Sequence, residues 1–323
     1  MRTRLTDMLE IEHPVMLAGM GGVSYHELVA AVSEAGGFGC LGASTMGTDR
    51  MVDEMAKVRS LTDKPFGVDL LTAAPGDMPA QIDAIIAGGA TVFVAGLGVP
   101  SEVVDQCHRH NILVVNMCGK VRHALHAVDA GCDIVVAQGT EAGGHTGQIA
   151  TMALVPQIVD AVGDRVPVVA AGGLFDGRGL AAALALGADG VWIGTRFIAT
   201  PEAHGVAGYK EHLLAAHEDG TIVSRAYTGK TCRVLRNDYT QYWEDHPDEL
   251  QPFPMQFLRS AEDGVNHLGK GVNEPGIDAD REFFPAGQGV GAIDELVPAA
   301  TLVARFVAEA EQILDRMGKM VRA

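Results

Sequence analysis

The stretch Asp133-Ile134-Val135-Val136-Ala137-Gln138-Gly139-Thr140-Glu141-Ala142-Gly143-Gly144-His145-Thr146-Gly147 joins an apolar run to a glycine-rich loop. The apolar run, 133–137, predicts a buried strand, and the loop carries a histidine directly after a glycine pair. Glycine has no Cβ, so the backbone there can approach a ligand closely. Imidazole gives or takes a proton near neutral pH. The stretch therefore predicts a catalytic loop at the C-terminal end of a strand, with His145 as its acid–base group.

Similar strand-and-helix units repeat on both sides of this loop. The predicted strands are apolar throughout, as expected of parallel strands buried on both faces, and they lie at 14–18, 38–41, 65–70, 91–95, 112–116, 133–137, 167–171 and 190–193. Predicted helices lie between them, at about 25–35, 48–61, 79–87, 101–110, 121–130, 155–162 and 177–186. This α/β pattern predicts a (β/α)8 TIM barrel. A doubly wound sheet is the alternative, but no G-x-G-x-x-G motif opens a βαβ unit with an acidic residue at the expected distance.

The pattern changes after a predicted helix over 201–217. Residues 218–285 are polar and rich in Pro, Asp and Gly, and a segment of that length is more often functional than a linker. We predict a barrel over 1–217 and 286–323, closed by a helix over 296–317, and a helical or irregular lid segment over 218–285 at the barrel mouth. The aromatic residues of that segment are expected to pack within it rather than line an entrance: Tyr239, Tyr242, Trp243, Phe253 and Phe257.

The composition disfavours several classes of partner. With 24 Lys and Arg against 41 Asp and Glu, the net charge is −17, whereas nucleic acids and anionic membranes attract clustered cations. We therefore expect neither partner, and we find no signal-peptide pattern and no run long enough to span a bilayer. Five scattered cysteines predict reduced thiols and a cytoplasmic enzyme. The histidines and cysteines lack metal-ligand spacing, so no metal site is predicted.

Glycines cluster at the predicted C-terminal ends of the strands, where TIM-barrel active sites form. The seventh strand ends in Ala171-Gly172-Gly173 and the eighth in Gly194-Thr195. A single glycine there only makes a tight turn. Loops after these two strands commonly bind phosphate in such barrels, so the set favours a phosphate site.

Charged residues near the strand ends have open roles. Lys120 and Arg122 follow the fifth strand, and either carries charge to a phosphate or forms a salt bridge at a helix start. Asp69 ends the third strand and could bond a cofactor ring. Glu141 either orients His145 or caps its own loop.

Three motifs together resemble the nitronate monooxygenase family: Gln138-Gly139-x-Glu141-Ala142-Gly143-Gly144-His145-x-Gly147, Ala170-Ala171-Gly172-Gly173-x-x-Asp176-Gly177-Arg178-Gly179 and Gly194-Thr195-Arg196-Phe197. The similarity runs from about 5 to 202 and resumes at 286–289. It implies an FMN-dependent TIM barrel whose catalytic histidine is His145. It implies that the flavin phosphate is held by Gly172, Gly173, Gly194 and Thr195, and that the ring lies near Ala18, Gly19, Met20, Asp69 and Gln138. Further candidate cofactor contacts are Lys120, Gly143, Gly144, Ala171 and Gln288.

The same motifs occur in FMN-dependent enoyl-acyl-carrier-protein reductases and NADH:quinone reductases, so the core leaves the reaction open. Residues 252–256 and 284–291 are more typical of the monooxygenase branch. The resemblance therefore implies oxidation of alkyl nitronates by O2 to carbonyl compounds and nitrite. One alternative is NAD(P)H-dependent reduction of enoyl thioesters or quinones, and another is a flavin-free barrel that binds a phosphorylated metabolite as an isomerase or sensor. The oligomeric state stays open, a homodimer included.

One residue departs from the family pattern. Relatives usually carry Asn at the position of Asp69. An ionised carboxylate only accepts hydrogen bonds and would repel an anionic flavin. This difference bears on how the flavin is tuned.

Overall fold

A computed structural model describes residues 1–72, 77–96 and 98–322, and only the backbone of residues 321 and 322. A closed parallel barrel dominates it, formed by β1 (Val15–Leu17), β2 (Gly39–Gly42), β3 (Phe66–Leu71), β4 (Val92–Gly96), β5 (Leu113–Cys118), β6 (Ile134–Gln138), β8 (Val168–Ala171) and β9 (Gly190–Ile193). The short strand β7 (Gly144–His145) belongs to a second sheet. Backbone hydrogen bonds close the barrel between β1 and β2, from Phe38 N to Val15 O at 2.9 Å and from Leu17 N to Phe38 O at 2.8 Å. The predicted TIM barrel is confirmed, and the doubly wound alternative is wrong.

Helices cover the outside of the barrel. They are α1 (Arg4–Leu9), α2 (His26–Glu34), α3 (Thr48–Leu61), α4 (Met78–Ala87), α5 (Ser101–His108), α6 (Val121–Asp129), α7 (Thr151–Val162), α8 (Gly177–Ala185), α9 (Thr195–Ile198), α10 (Tyr209–Ala215), α11 (Asp238–Asp245), α12 (Met255–Glu262) and α13 (Ala299–Arg322), with 3-10 turns at Pro247–Glu249 and Gln288–Ala292. Most predicted helices are found within a few residues of their expected ends. The helix predicted over 201–217 is reduced to α10, because Gly205 and Gly208 adopt φ angles of 148° and 84° that no right-handed helix accepts.

The inside of the barrel is filled with apolar side chains, among them Met16, Phe38, Val136 and Trp192. Helix α1, which was not predicted, adds Leu5 to this cluster, and Gly190 leaves room for it. A Cβ placed on Gly190 would lie 2.5 Å from Leu5 Cδ2. The N-terminal end of the barrel is therefore plugged, and the C-terminal ends of the strands form the mouth.

Residues 218–285, named the insertion below, contain more regular structure than predicted. Strands β10 (Thr221–Ser224) and β11 (Cys232–Leu235) pair antiparallel, and β11 also pairs with β7 of the barrel loop. The insertion has its own small core, which includes Tyr227, Tyr239, Trp243 and Phe283. The aromatic residues thus divide, because Tyr239 and Trp243 pack inside as expected, whereas three remain 40–46% exposed: Tyr242, Phe253 and Phe257.

Candidate active site

The loop between β6 and α7 is tied firmly to the barrel. Glu141 accepts hydrogen bonds from the backbone N–H of Thr151 at 2.9 Å and from its hydroxyl at 2.8 Å, which caps the first turn of α7. Arg233 Nε of β11 donates to Thr140 O at 3.0 Å. Of the two roles considered for Glu141, the capping role is the one observed, and its carboxylate is not free to orient His145.

His145 lies where the barrel loop meets the insertion. Its backbone pairs with Cys232 of β11, and its carbonyl accepts a hydrogen bond from Gln138 Nε2 at 2.8 Å. Its ring nitrogen Nε2 lies 3.2 Å from Thr228 Oγ1. The predicted catalytic residue is therefore positioned by both parts of the chain.

The hydrogen bonds of Thr228 assign the protonation of the imidazole. The Thr228 hydroxyl donates to Lys230 O at 3.1 Å and accepts from Lys230 N at 3.2 Å. Because a hydroxyl has one proton, its oxygen acts as an acceptor toward His145 Nε2. Neutral His145 then carries its proton on Nε2 and its lone pair on Nδ1, and Nδ1 has no hydrogen-bond partner in the described part of the chain.

The surroundings keep this imidazole neutral. Burial lowers the pKa of His145, and the positive charge of Lys230 lowers that pKa further. Cys232, across the strand pair, stays a neutral thiol, since burial raises its pKa to about 12. The site therefore holds a base at Nδ1 rather than an imidazolium.

Free backbone N–H groups surround the ends of β8 and β9. Among the described residues, those of Gly172, Gly173, Gly194 and Thr195 donate to no protein acceptor. Gly172 and Gly173 adopt φ angles of +108° and +70°, a conformation that turns successive N–H groups toward an anion. These four residues, whose N–H groups are free, are called the cradle below. The nearby N-terminus of α8 is not part of it, because Asp176 already accepts from its Arg178 and Gly179 N–H groups.

The chain returns to this cradle after the insertion. Gly287 N donates to Thr195 Oγ1 at 2.8 Å, and Gln288 N donates to Glu141 O at 2.8 Å. A cavity of about 310 Å³ opens here, lined by Gly172, Gly173 and Gln288 together with apolar side chains of α7 and α8. Gln288, a predicted cofactor contact, is therefore brought next to the cradle.

The loop after β1 links the cradle to the opposite side of the mouth. A Cβ placed on Gly194 would lie 3.3 Å from Met20 Sδ and 3.6 Å from Ala18 Cβ. A Cβ placed on Gly19 would lie 2.2 Å from Asp69 Cβ. Of the predicted ring contacts, Ala18, Gly19, Met20 and Asp69 thus form a wall between the ends of β9 and β3, whereas Gln138 bonds to the carbonyl of His145.

Asp69 is a carboxyl group without a compensating partner. No described residue forms a salt bridge with it or donates a hydrogen bond to its side chain, and burial raises its pKa well above the usual value. A protonated carboxyl both donates and accepts hydrogen bonds, as an amide does. The raised pKa favours the neutral carboxyl, and a neutral Asp69 would not repel an anionic flavin.

Two other candidates lie elsewhere on the rim. Lys120 precedes α6 and Arg122 lies in its first turn, after β5, and β6 separates both from the cradle at β8 and β9. Neither forms a salt bridge with any described residue, so the alternative of a helix-start ion pair is wrong. Lys120 is not brought together with the glycines that were expected to hold a phosphate.

Thr228 and Lys230 were missed as site residues. They reach His145 only because β11 pairs with β7, a contact between distant parts of the chain. The one local signal was the Thr228-Gly229-Lys230 turn after the β-branched run of β10, which is typical of a hairpin.

The described residues contain neither a membrane-spanning helix nor a metal-ligand cluster. Within 1–72, 77–96 and 98–322, no helix is both long enough and apolar enough to cross a membrane. The same residues contain no group of three His, Cys, Asp or Glu side chains that could hold a metal ion. All five cysteines are free and buried, as predicted.

Comparison with known proteins places this geometry among redox enzymes. A family model described as nitronate monooxygenase matches residues 2–87 and 78–309. FabK from Thermotoga maritima superposes with a TM-score of 0.89 at 34% identity over 99% of both chains. Nitroalkane oxidase from Streptomyces ansochromogenes gives 0.83 at 30% identity, covering 97% of this chain and 99% of its own. A Rhodococcus jostii protein, (3aS,4S,5R,7aS)-5-hydroxy-7a-methyl-1-oxo-octahydro-1H-indene-4-carboxyl-CoA dehydrogenase, is 34% identical over 99% of both chains.

Proposed function

Because the chain belongs to the nitronate monooxygenase family, we propose that it is an FMN-dependent enzyme that oxidises alkyl nitronates with O2 to carbonyl compounds and nitrite. The observation that carries this proposal is His145, whose lowered pKa and free Nδ1 make it a base at the same end of the barrel as the cradle. The family and its relatives are oxidoreductases, so the non-redox barrel is no longer a candidate.

The cradle fits the phosphate of FMN. A dianionic phosphate needs several donors, and Gly172, Gly173, Gly194 and Thr195 offer free N–H groups at two adjacent strand ends. The ring would lie along the wall from Met20 to Asp69. Bound FMN would supply the redox chemistry, taking electrons from the substrate and passing them to O2.

His145 would do the proton chemistry of this chain. With a neutral nitroalkane, Nδ1 takes the α-proton, while Thr228 Oγ1 stabilises the imidazolium through Nε2–H. With a preformed nitronate no proton is removed, and the residue only positions the substrate. Neutral nitroalkanes should therefore depend on His145 more strongly than nitronates do.

The direct test is nitrite release from propionate 3-nitronate and small alkyl nitronates under air, with parallel anaerobic samples as the control. We expect nitrite only when O2 is present. An aerobic sample that releases no nitrite from any nitronate would contradict the proposed reaction.

A second candidate is NAD(P)H-dependent reduction of an enoyl thioester. It is favoured by the whole-length similarity to FabK and to a relative named for a CoA substrate. It predicts that NADH or NADPH bleaches the flavin rapidly without O2. Anaerobic stopped-flow mixing with NADH, NADPH and a nitronate in parallel separates the two reactions.

A further inference from the structure

The turn Thr228-Gly229-Lys230 of the insertion is fixed next to His145. Gly229 has a φ angle of +77°, and a Cβ placed on it would lie 2.5 Å from Phe253 N and 2.7 Å from Gln251 O. The turn therefore packs directly on residues 251–253. Thr228 contacts the imidazole from the same turn.

The ammonium group of Lys230 lies in this turn with its charge uncompensated. It sits 4.2 Å from the centroid of the Phe253 ring, and it forms no salt bridge with any described residue. Three of the other six lysines lie against carboxylates, namely Lys57, Lys64 and Lys319. Lys120, Lys210 and Lys270 also form no salt bridge with a described residue, but Lys230 is the one in the turn that contacts His145. An aromatic face holds a cation without neutralising it, so the charge of Lys230 stays available to a ligand.

The field of Lys230 reaches the catalytic base. Burial lowers the pKa of His145, and the charge of Lys230 lowers it further. A neutral imidazole is a base but gives an anion no charge to bind to. Removing a proton and holding an anion are therefore tasks for two different residues here.

We propose that Lys230 binds the negatively charged group of the substrate and that the exposed part of the Phe253 ring receives its alkyl group, so that this pair selects small organic anions. The assignment to a nitronate rests on the proposed function, whereas the anion subsite does not. Lys230 would thus decide which substrates bind, and His145 would decide which of them lose a proton.

The test compares three variants: Lys230→Met, Lys230→Arg and Lys270→Met. Lys270 is an exposed lysine of the insertion, so its removal is a matched control for the loss of one charge. Sodium nitrate serves as an unreactive planar anion, and its binding is measured from the perturbation of the flavin spectrum. We expect about tenfold weaker nitrate binding in Lys230→Met, and near wild-type binding in Lys230→Arg and Lys270→Met.

Kinetics and NMR give independent measurements. For a nitronate, Lys230→Met should raise KM about tenfold with kcat within about twofold, and KM for a neutral nitroalkane should change little. The pKa of His145, followed by NMR, should rise in Lys230→Met because a neighbouring positive charge is gone. Lys230→Arg should keep the lowered pKa.

Two results would overturn the subsite. One is nitrate affinity in Lys230→Met equal to that of the wild type, and the other is an equal loss in Lys270→Met. Failure of the nitronate reaction would look different, because no variant would release nitrite while nitrate binding still depended on Lys230.

Discussion

The two halves of the site are built from different parts of the polypeptide. The cradle at β8 and β9 consists of backbone N–H groups, placed by glycines that directly follow two strands. The reacting half consists of side chains, His145 and Thr228, joined by pairing between β7 and β11. In the proposed function, the first half would bind phosphate through main-chain N–H groups and the second would move a proton at His145. A substitution at His145 should therefore lower turnover without weakening FMN binding, and a substitution in the cradle should weaken FMN binding. The substitutions below test this separation.

The largest effect is expected from His145→Ala. Loss of a general base costs about 10²–10⁴-fold in rate, so kcat/KM for a neutral nitroalkane should fall by that factor. FMN affinity, measured by fluorescence titration of the apoprotein, should stay near wild type because the cradle is untouched. Turnover that survives in this variant would show that the loop only binds.

The pH profile of the wild type also tests whether neutral His145 is the base. Since the pKa of His145 is lowered, the base form persists to lower pH than for an ordinary histidine. The kcat/KM for neutral nitroalkanes should therefore rise with pH through a pKa below the usual histidine value. A plateau that begins only above that value would contradict a neutral, partly buried base.

Gly172→Ala is expected to weaken FMN binding at the cradle. A Cβ there would lie 2.8 Å from Thr151 Oγ1, and the φ angle of +108° is strained for alanine. We expect FMN affinity to fall about 100-fold in fluorescence titrations. Gly264→Ala is the control, since Gly264 has φ +68° but no atom within 4 Å of the added Cβ. Equal losses in both variants would point to backbone strain alone.

Asp69→Asn tests whether the buried carboxyl of Asp69, in the wall between the two halves, has a raised pKa. Burial raises the pKa of Asp69 in the folded protein above its value in the unfolded chain. Below the pKa of the unfolded chain, the Asp69 carboxyl does not destabilise the fold. As the pH rises from there toward the pKa of the folded protein, the unfolded chain loses this proton more readily, so wild-type stability falls. Above about pH 4 the Asp69→Asn apoprotein should therefore have the larger free energy of unfolding. Its advantage over wild type should grow by up to ~1.4 kcal/mol for each pH unit. Urea unfolding at several pH values measures the gap. A gap that does not change with pH would mean that Asp69 ionises normally.

The smallest effect is expected from Thr228→Val, which removes the acceptor of the Nε2 proton but keeps the shape. We expect about fivefold lower kcat/KM and a change in the His145 tautomer seen by 15N NMR. Thr228→Ser should restore both. An unchanged tautomer in Thr228→Val would remove Thr228 from the mechanism.

The contrast also explains which features the sequence could predict. Helix α3 (Thr48–Leu61) and strand β9 (Gly190–Ile193) were predicted at their observed bounds, because a buried parallel strand is an uninterrupted apolar run and a helix has its own period. The cradle glycines followed from their place at the strand ends. Strands β10 and β11 were missed, since they are short and lie in a polar segment. Thr228 and Lys230 were missed because only long-range pairing brings them to His145.

The pairing of β7 with β11 has a consequence for how the enzyme matures. Barrel strands pair mostly with their neighbours in sequence, whereas the base is held in place by a segment that follows the eighth barrel strand. Because β7 lies in a loop of the barrel, we expect β11 to pair with it only after the barrel has closed. A refolding chain should therefore recover flavin binding before it recovers turnover of neutral nitroalkanes, and the delay between the two signals would time the docking of the insertion.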